Sequence, residues 1–235
     1  MKKEKIIIAH RGARGISETE NSIESFENTI KVGGTWVELD VRKTKDSRFI
    51  VFHDKYLNGK PISELNFSQI KKKRNEVETL DTILGKFKGK LKFDIEIKEE
   101  GDEKEIVDII KKHLYYKEYF VSSFSEKIVT KIKKIDNNIR TGLLIDKEKG
   151  FLKKIFSFFP CLKVRRVKVD YLISHISTTK FFFFLRMKIF KRKLIVWSVD
   201  SEKDIKKILK KPLMGIITDR PDLGVKRINS FTKRG

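Results

Sequence analysis

The chain has 235 residues, with 54 Lys and Arg against 32 Asp and Glu for a formal charge of +22, and 39% of its residues are hydrophobic. That apolar content argues against a disordered chain, the length suits one large domain or two small ones with a real core, and the lone Cys161 excludes an intrachain disulfide framework and a cysteine-based zinc cluster. The charge attracts anions such as phosphates, nucleic acid or acidic lipid, and says nothing about fold.

Read in chain order, short apolar runs alternate with longer amphipathic, lysine-rich stretches. A strand is predicted over 5–9, followed by a helix over 22–32 with Ile23, Phe26 and Ile30 on one face. Strands follow over 36–41 and 49–52, then an irregular insertion over 55–89 marked by Asn58-Gly59 and Pro61. A strand over 91–97 leads to a helix over 103–114 carrying Ile106, Ile109 and Ile110. A strand over 119–122 leads to a helix over 126–135 carrying Ile128, Val129, Ile132 and Ile135. Strands over 141–145, 171–173 and 194–199, a helix over 202–209 and a strand over 215–218 complete the pattern.

Repeated strand-then-helix order predicts a parallel α/β fold. Nine strands are one too many for a (β/α)8 barrel, and the second and third are separated by only seven residues, too few for a parallel crossover. That pair is either a hairpin-like excursion or a barrel strand with a distorted neighbour. One domain over 1–235 is expected, a somewhat distorted barrel. The four apolar residues Ile6 to Ala9 are too few for a signal-peptide core, and the longest apolar run, Phe181 to Leu185, is too short to cross a bilayer. A soluble, cytoplasmic protein is expected.

Chemistry concentrates at predicted strand ends. Ile6-Ile7-Ile8-Ala9 runs into His10-Arg11-Gly12, and in a barrel the carboxyl ends of strands form the active-site rim. His exchanges protons near neutral pH, Arg clamps phosphate by two hydrogen bonds, and Gly lets the backbone turn. In 36–41, Glu38 and Asp40 share one face, and in 93–98 Asp94, Glu96 and Lys98 do the same. Taken alone, the first pair also fits an amphipathic edge strand. A barrel ringed by helices instead turns both acidic faces inwards, where carboxylates from separate strands can meet around one hard divalent cation, Mg²⁺ or Ca²⁺. Ile50-Val51-Phe52 ends in His53-Asp54, supplying a second histidine for proton transfer around a metal-bound phosphate. His113 reads as a solvated helix residue, and His175 could reach the rim without a motif to support it.

Together these pieces resemble the glycerophosphodiester phosphodiesterases, a family of TIM-barrel hydrolases. The resemblance rests on His10-Arg11-Gly12, Glu20-Asn21-Ser22 with Phe26, Glu38-Leu39-Asp40-Val41, His53-Asp54, Glu96-Ile97-Lys98, Ser123-Phe124, Trp197, and Ile216-Ile217-Thr218-Asp219-Arg220-Pro221, in family order across roughly residues 5–223. It implies cleavage of glycerophosphodiesters to glycerol 3-phosphate and an alcohol. It also implies His10 and His53 as the acid–base pair, Glu38, Asp40 and Glu96 as metal ligands, and Arg11 and Lys98 on phosphate oxygens. Trp197 matches the glycerol side of the pocket, with core packing as its other reading. Glu20 and Asn21 would support the site, Asn21 either bonding His10 or capping a helix. Two departures stand out. Lys55-Tyr56-Leu57-Asn58-Gly59 keeps the family's Leu but lacks the Arg and threonines usual after His-Asp, in a segment expected to border the substrate, and Thr19 replaces the usual Pro.

Two further segments, 151–168 and 181–193, combine phenylalanines with Lys and Arg. Such helices can lie on an anionic membrane, which would make a lysophospholipid the substrate and place the enzyme peripherally on the inner membrane face; alternatively the phenylalanines pack on the barrel. A non-catalytic lipid- or nucleic-acid-binding barrel and a phosphatidylinositol-specific phospholipase C are the competing classes. No nucleic-acid partner is expected, because basic residues are spread along the chain and no nucleic-acid motif is present.

Overall fold

The computed structural model describes residues 5–146, 168–179 and 193–232, with side chains through Ser230. Strand β1 (Ile6–Ala9) leads to α1 (Ile23–Lys31), β2 (Trp36–Lys43) and a short β3 (Phe49–Val51). Two two-residue strands follow, β4 (Tyr56–Leu57) and β5 (Lys60–Pro61), then α2 (Phe67–Lys73) and α3 (Leu80–Phe87). Next come β6 (Lys92–Ile97), α4 (Glu103–His113), β7 (Tyr119–Ser123), α5 (Glu126–Ile135), β8 (Thr141–Ile145) and β9 (Tyr171–His175). β10 (Lys193–Trp197), α6 (Glu202–Ile208), β11 (Gly215–Thr218) and α7 (Pro221–Thr232) complete the described chain. The phenylalanine-rich segments lie almost wholly outside the described residues.

β1, β2, β6, β7, β8, β9, β10 and β11 pair in that circular order, every pair parallel, and β11 returns to β1. This is a closed (β/α)8 TIM barrel. The supernumerary strand is β3, which runs antiparallel to β2 with Val51 opposite Val41. It is the hairpin-like excursion, and the turn over 44–47 that makes it possible is closed by Thr44, whose Oγ1 accepts from Arg48 N at 3.0 Å.

Alternation along the strands divides the side chains into two sets. Val37, Leu39, Val41, Phe93, Ile95, Ile97 and Val121 face outwards into a core with Phe26, Leu84, Phe87, Ile106, Ile110 and Ile132 of the helices. On the far side, Ile7, Leu172, Leu194, Val196 and Ile216 pack with Ile205 and Ile208. The inward set near the amino ends is also apolar: Ile8, Trp36, Phe120, Tyr171, Ile173, Ile195 and Ile217 fill the lumen. The Phe120 ring centroid lies 4.8 Å from that of Tyr171 and 5.7 Å from that of Trp36.

Three sequence expectations change. The 55–89 insertion is not irregular throughout: it forms α2 and α3, started by Asn66 and Thr79 caps, and builds its own small core of Leu57, Ile62, Leu65, Ile70 and Val77 beneath Ile50 and Phe52. On α1, the face turned to the barrel is Ser25, Phe26 and Thr29, whereas Ile30 is exposed. Close approach is the reason. The Gly12 backbone lies so near α1 that a Cβ there would meet Ser25 Oγ at 2.4 Å and the Phe26 ring at 2.8 Å, and a Cβ on Gly34 would meet Thr29 Cγ2 at 2.6 Å. Helix α7 was not foreseen, although Pro221 at its first position and Leu223, Val225 and Ile228 along it carry the signal.

Candidate active site

The functional side chains stand where the barrel strands end. β1 delivers His10, after which the chain turns sharply through Arg11 and Gly12, both with positive φ of 51° and 81°. Glycine adopts that conformation readily; Arg11 is held in it by its backbone N–H, which donates to Glu38 Oε2 at 2.9 Å, and by its carbonyl, which accepts from Asn21 N at 2.8 Å. β2 supplies Glu38 and Asp40, β6 supplies Asp94 and Glu96 with Lys98 just beyond it, and the strand register sets Asp40 beside Glu96.

Oxygens of Glu38, Asp40 and Glu96 lie within 4.8 Å of one another, and all three residues are buried. Lys98 Nζ is 2.6 Å from Asp40 Oδ1 and 2.6 Å from Glu96 Oε1. Asn21 donates to Asp40 Oδ2 at 2.8 Å, and Arg11 Nε lies 3.4 Å from the same oxygen. These contacts set the charge states apart. Burial opposes ionisation of Asp40, but Lys98 and Arg11 outweigh it and hold its pKa down at about 2. Burial, reinforced by Asp40 and Glu96, pushes Glu38 well above the usual carboxylate range. Burial also raises Glu96, against the pull of Lys98, and raises Asp94 well up despite the hydroxyl that Ser122 donates to it.

An all-carboxylate donor set of this kind suits a hard cation. One buried oxygen, Glu38 Oε1, has no hydrogen-bond partner in the protein. A cation there would satisfy it and offset the burial and repulsion that raise Glu38, so the residues fit a divalent ion held by Glu38, Asp40 and Glu96.

His10, Arg11, Glu38, His53, Glu96, Lys98 and Trp197 line one cavity of about 240 Å³. His10 Nδ1 lies 2.6 Å from Asp219 Oδ1, and its Nε2 is 3.9 Å from Glu38 Oε2. His53 Nδ1 lies 2.8 Å from Asp54 Oδ1, and burial lowers the His53 pKa against the attraction of Asp40. The Trp197 ring lines the cavity and also packs on the luminal cluster, between Phe124 at 5.8 Å and His175 at 5.2 Å. His175 thus reaches the rim through Trp197.

Several sequence expectations are corrected here. Asn21 neither bonds His10 nor caps α1; it holds Asp40, while Ser22 caps the helix in a reciprocal pair with Ser25. Glu20 stands behind the site as the partner of Arg11 Nη1 at 2.7 Å and Arg14 Nε at 2.9 Å. His113 is not solvated: only 14% of its side chain is exposed, and its Nε2 meets Asp81 Oδ1 at 2.9 Å between α3 and α4. No residue of 55–89 lines the cavity. In the sequence, Asp94 is legible only as part of an inward acidic face, Asp54, Phe124 and Asp219 only as parts of motifs, and Ser122 only as a strand residue. Asp219 directly follows an apolar strand, the same signal that singled out His10 and His53, and Asp94 shares the inward parity of Glu96.

The fold and this rim together define a barrel enzyme of the phosphoric diester hydrolase class. The chain belongs to the glycerophosphoryl diester phosphodiesterase family, whose family model matches residues 10–223. It is 26% identical over 245 residues to a glycerophosphodiester phosphodiesterase of Caldanaerobacter subterraneus, covering 92% of this chain and 95% of that protein. Among solved structures, the glycerophosphodiester phosphodiesterase of Thermotoga maritima superposes with a TM-score of 0.80 at 26% identity, covering 97% of this chain and 100% of that one. A phosphodiesterase of Oleispira antarctica, solved with the product sn-glycerol-3-phosphate, shares the fold with a TM-score of 0.80 at 20% identity over 96% of this chain and 97% of that one.

Proposed function

We propose that this chain is a single-domain, cytoplasmic, metal-dependent glycerophosphodiesterase that releases glycerol 3-phosphate and an alcohol by acid–base catalysis between His10 and His53. The observation that carries the reading is the buried meeting of Glu38, Asp40 and Glu96 in the cavity that both imidazoles line. The product held by the Oleispira antarctica enzyme is of the same chemical class.

A bound Mg²⁺ or Ca²⁺ would supply positive charge for the phosphoryl oxygens as negative charge builds in the transition state. Arg11 and Lys98 line the same cavity and orient the phosphodiester by its anionic oxygens. One imidazole takes the proton of the attacking oxygen, from water or from the glycerol 2-hydroxyl through a cyclic phosphodiester. The other gives a proton to the departing alkoxide, so the alcohol leaves neutral. Glu20 and Asn21 hold Arg11 and Asp40 in place behind the reacting groups.

A second reading, hydrolysis of lysophospholipids at a membrane surface, is favoured by Phe124, which is 46% exposed and stands against Trp197 at the cavity. Turnover of glycerophosphocholine, glycerophosphoethanolamine, glycerophosphoinositol and lysophosphatidylcholine, with EDTA or with added Mg²⁺ or Ca²⁺, tests both. Metal-dependent release of glycerol 3-phosphate is the expected result. Release of lysophosphatidic acid together with flotation on anionic vesicles would select the lipid reading, and inactivity on all four with either metal would end both. Replacing His10 or His53 by Ala should each lower turnover by about 10²-fold or more.

A further inference from the structure

The two histidines are not supported alike. Each faces a carboxylate through Nδ1, but the Asp54 side chain is 68% exposed, whereas that of Asp219 is 26% exposed. An exposed carboxylate is hydrated and screened; a sheltered one holds its partner in a fixed direction.

Asp219 is also braced by its surroundings. Its backbone N–H donates to Asp200 Oδ1 at 2.8 Å, and the Thr218 hydroxyl reaches the same oxygen at 3.3 Å. Ser198 Oγ donates to Asp200 Oδ2 at 2.8 Å, which fixes the far side of that carboxylate. From the other direction, the Asp219 carbonyl accepts from Gly15 N at 2.8 Å, so closely that a Cβ on Gly15 would come within 2.6 Å of it. The loops after β1, β10 and β11 therefore converge on Asp219. This network touches none of the proposed cation ligands.

An imidazole that donates through Nδ1–H presents its Nε2 to whatever lies opposite. Opposite His10 is the acidic cluster, with Nε2 3.9 Å from Glu38 Oε2. We propose that Asp219, braced by Asp200, is the positioning residue for His10: it accepts the Nδ1–H bond, fixes the tautomer and ring direction, and so turns Nε2 toward the reacting phosphodiester. The inference rests on the acid–base role of His10 and adds the group that makes that role geometrically productive.

Three measurements on the full chain test it. Asp219→Asn, whose amide can donate to Nδ1 and select the opposite tautomer, should lower kcat by about 10²-fold with KM within about twofold. In a His10→Ala background the same substitution should cause no further loss. In the wild-type protein, nitrogen NMR of the neutral His10 imidazole, assigned by the signal lost in His10→Gln, should show Nδ1 protonated and Nε2 bare. A wild-type kcat in Asp219→Asn beside an impaired His10→Ala overturns the proposal and leaves the catalytic reading standing, as does an Nε2-protonated tautomer in the wild type. Full activity in His10→Ala removes His10 from the mechanism and this proposal with it. The NMR result stands even where a variant folds poorly.

Discussion

Along the inward face of the barrel, the amino and carboxyl ends are built from opposite chemistry on the same strands. Near the amino ends, Trp36, Phe120, Tyr171, Ile173 and Ile195 close the lumen with apolar bulk. Two residues on from Trp36 comes Glu38, and two residues on from Phe120 comes Ser122. From there to the carboxyl ends the interior holds Asp94, bonded to Ser122, and then Asp40 and Glu96 with Lys98 between them. The first region gains free energy from removing apolar surface from water. The second buries several carboxylates together, and burial first, then their mutual repulsion, raises the pKa values of Glu38, Asp94 and Glu96, a destabilising arrangement that the proposed cation would relieve. The barrel's apolar end stabilises what its acidic end strains.

Substitutions at the two ends should therefore fail in different ways. The largest effect is expected from Asp40→Asn, which removes the charge that Lys98 and Arg11 share and one proposed cation ligand. Turnover should fall by about 10³-fold while the chain still folds, checked by steady-state assay beside circular dichroism. A loss confined to stability would show that the acidic end is structural. At the other end, Phe120→Ala removes a fully buried ring between Trp36 and Tyr171 and should destabilise the fold by about 3–5 kcal/mol in urea unfolding. Its remaining folded fraction should turn over substrate near the wild-type rate. A kcat that fell with the stability would mean the two ends are not separable.

Gly142→Ala probes the seam between them. A Cβ there would meet Ile173 Cδ1 at 2.7 Å and Ser122 Cβ at 3.5 Å, one neighbour from each region. Because the tighter contact is the end of a flexible side chain, the expected cost is about 1–3 kcal/mol of stability. The change in turnover should be smaller than for Asp40→Asn. A larger catalytic than structural effect would place the working boundary deeper in the lumen.

Period-two alternation makes the strands and the pairing of Glu38 with Asp40 and of Asp94 with Glu96 legible in the sequence, because side-chain direction along a strand follows from the backbone itself. Chain spacing likewise flagged β3 as irregular, since seven residues cannot make a parallel crossover. Helix faces were less legible. Ile30 fits the apolar period of α1, yet the close approach of Gly12 to Ser25 and Phe26 and of Gly34 to Thr29 turns that side of the helix to the barrel. The partners of polar groups were least legible of all: Asn21 turned out to hold Asp40, and His113 to meet Asp81.

What the amino-acid sequence determines by itself here is local and periodic: which residues end a strand, which share its face, and which chemical groups are available for proton transfer or for a hard cation. Only the closed barrel decides which of those groups meet. Closure brings β11 beside β1, residues more than 200 positions apart in the chain, and so puts Asp219 against His10 at 2.6 Å. No local preference encodes that contact. It follows from the register of hydrogen bonds around the whole ring, which exists only once all eight strands are in place.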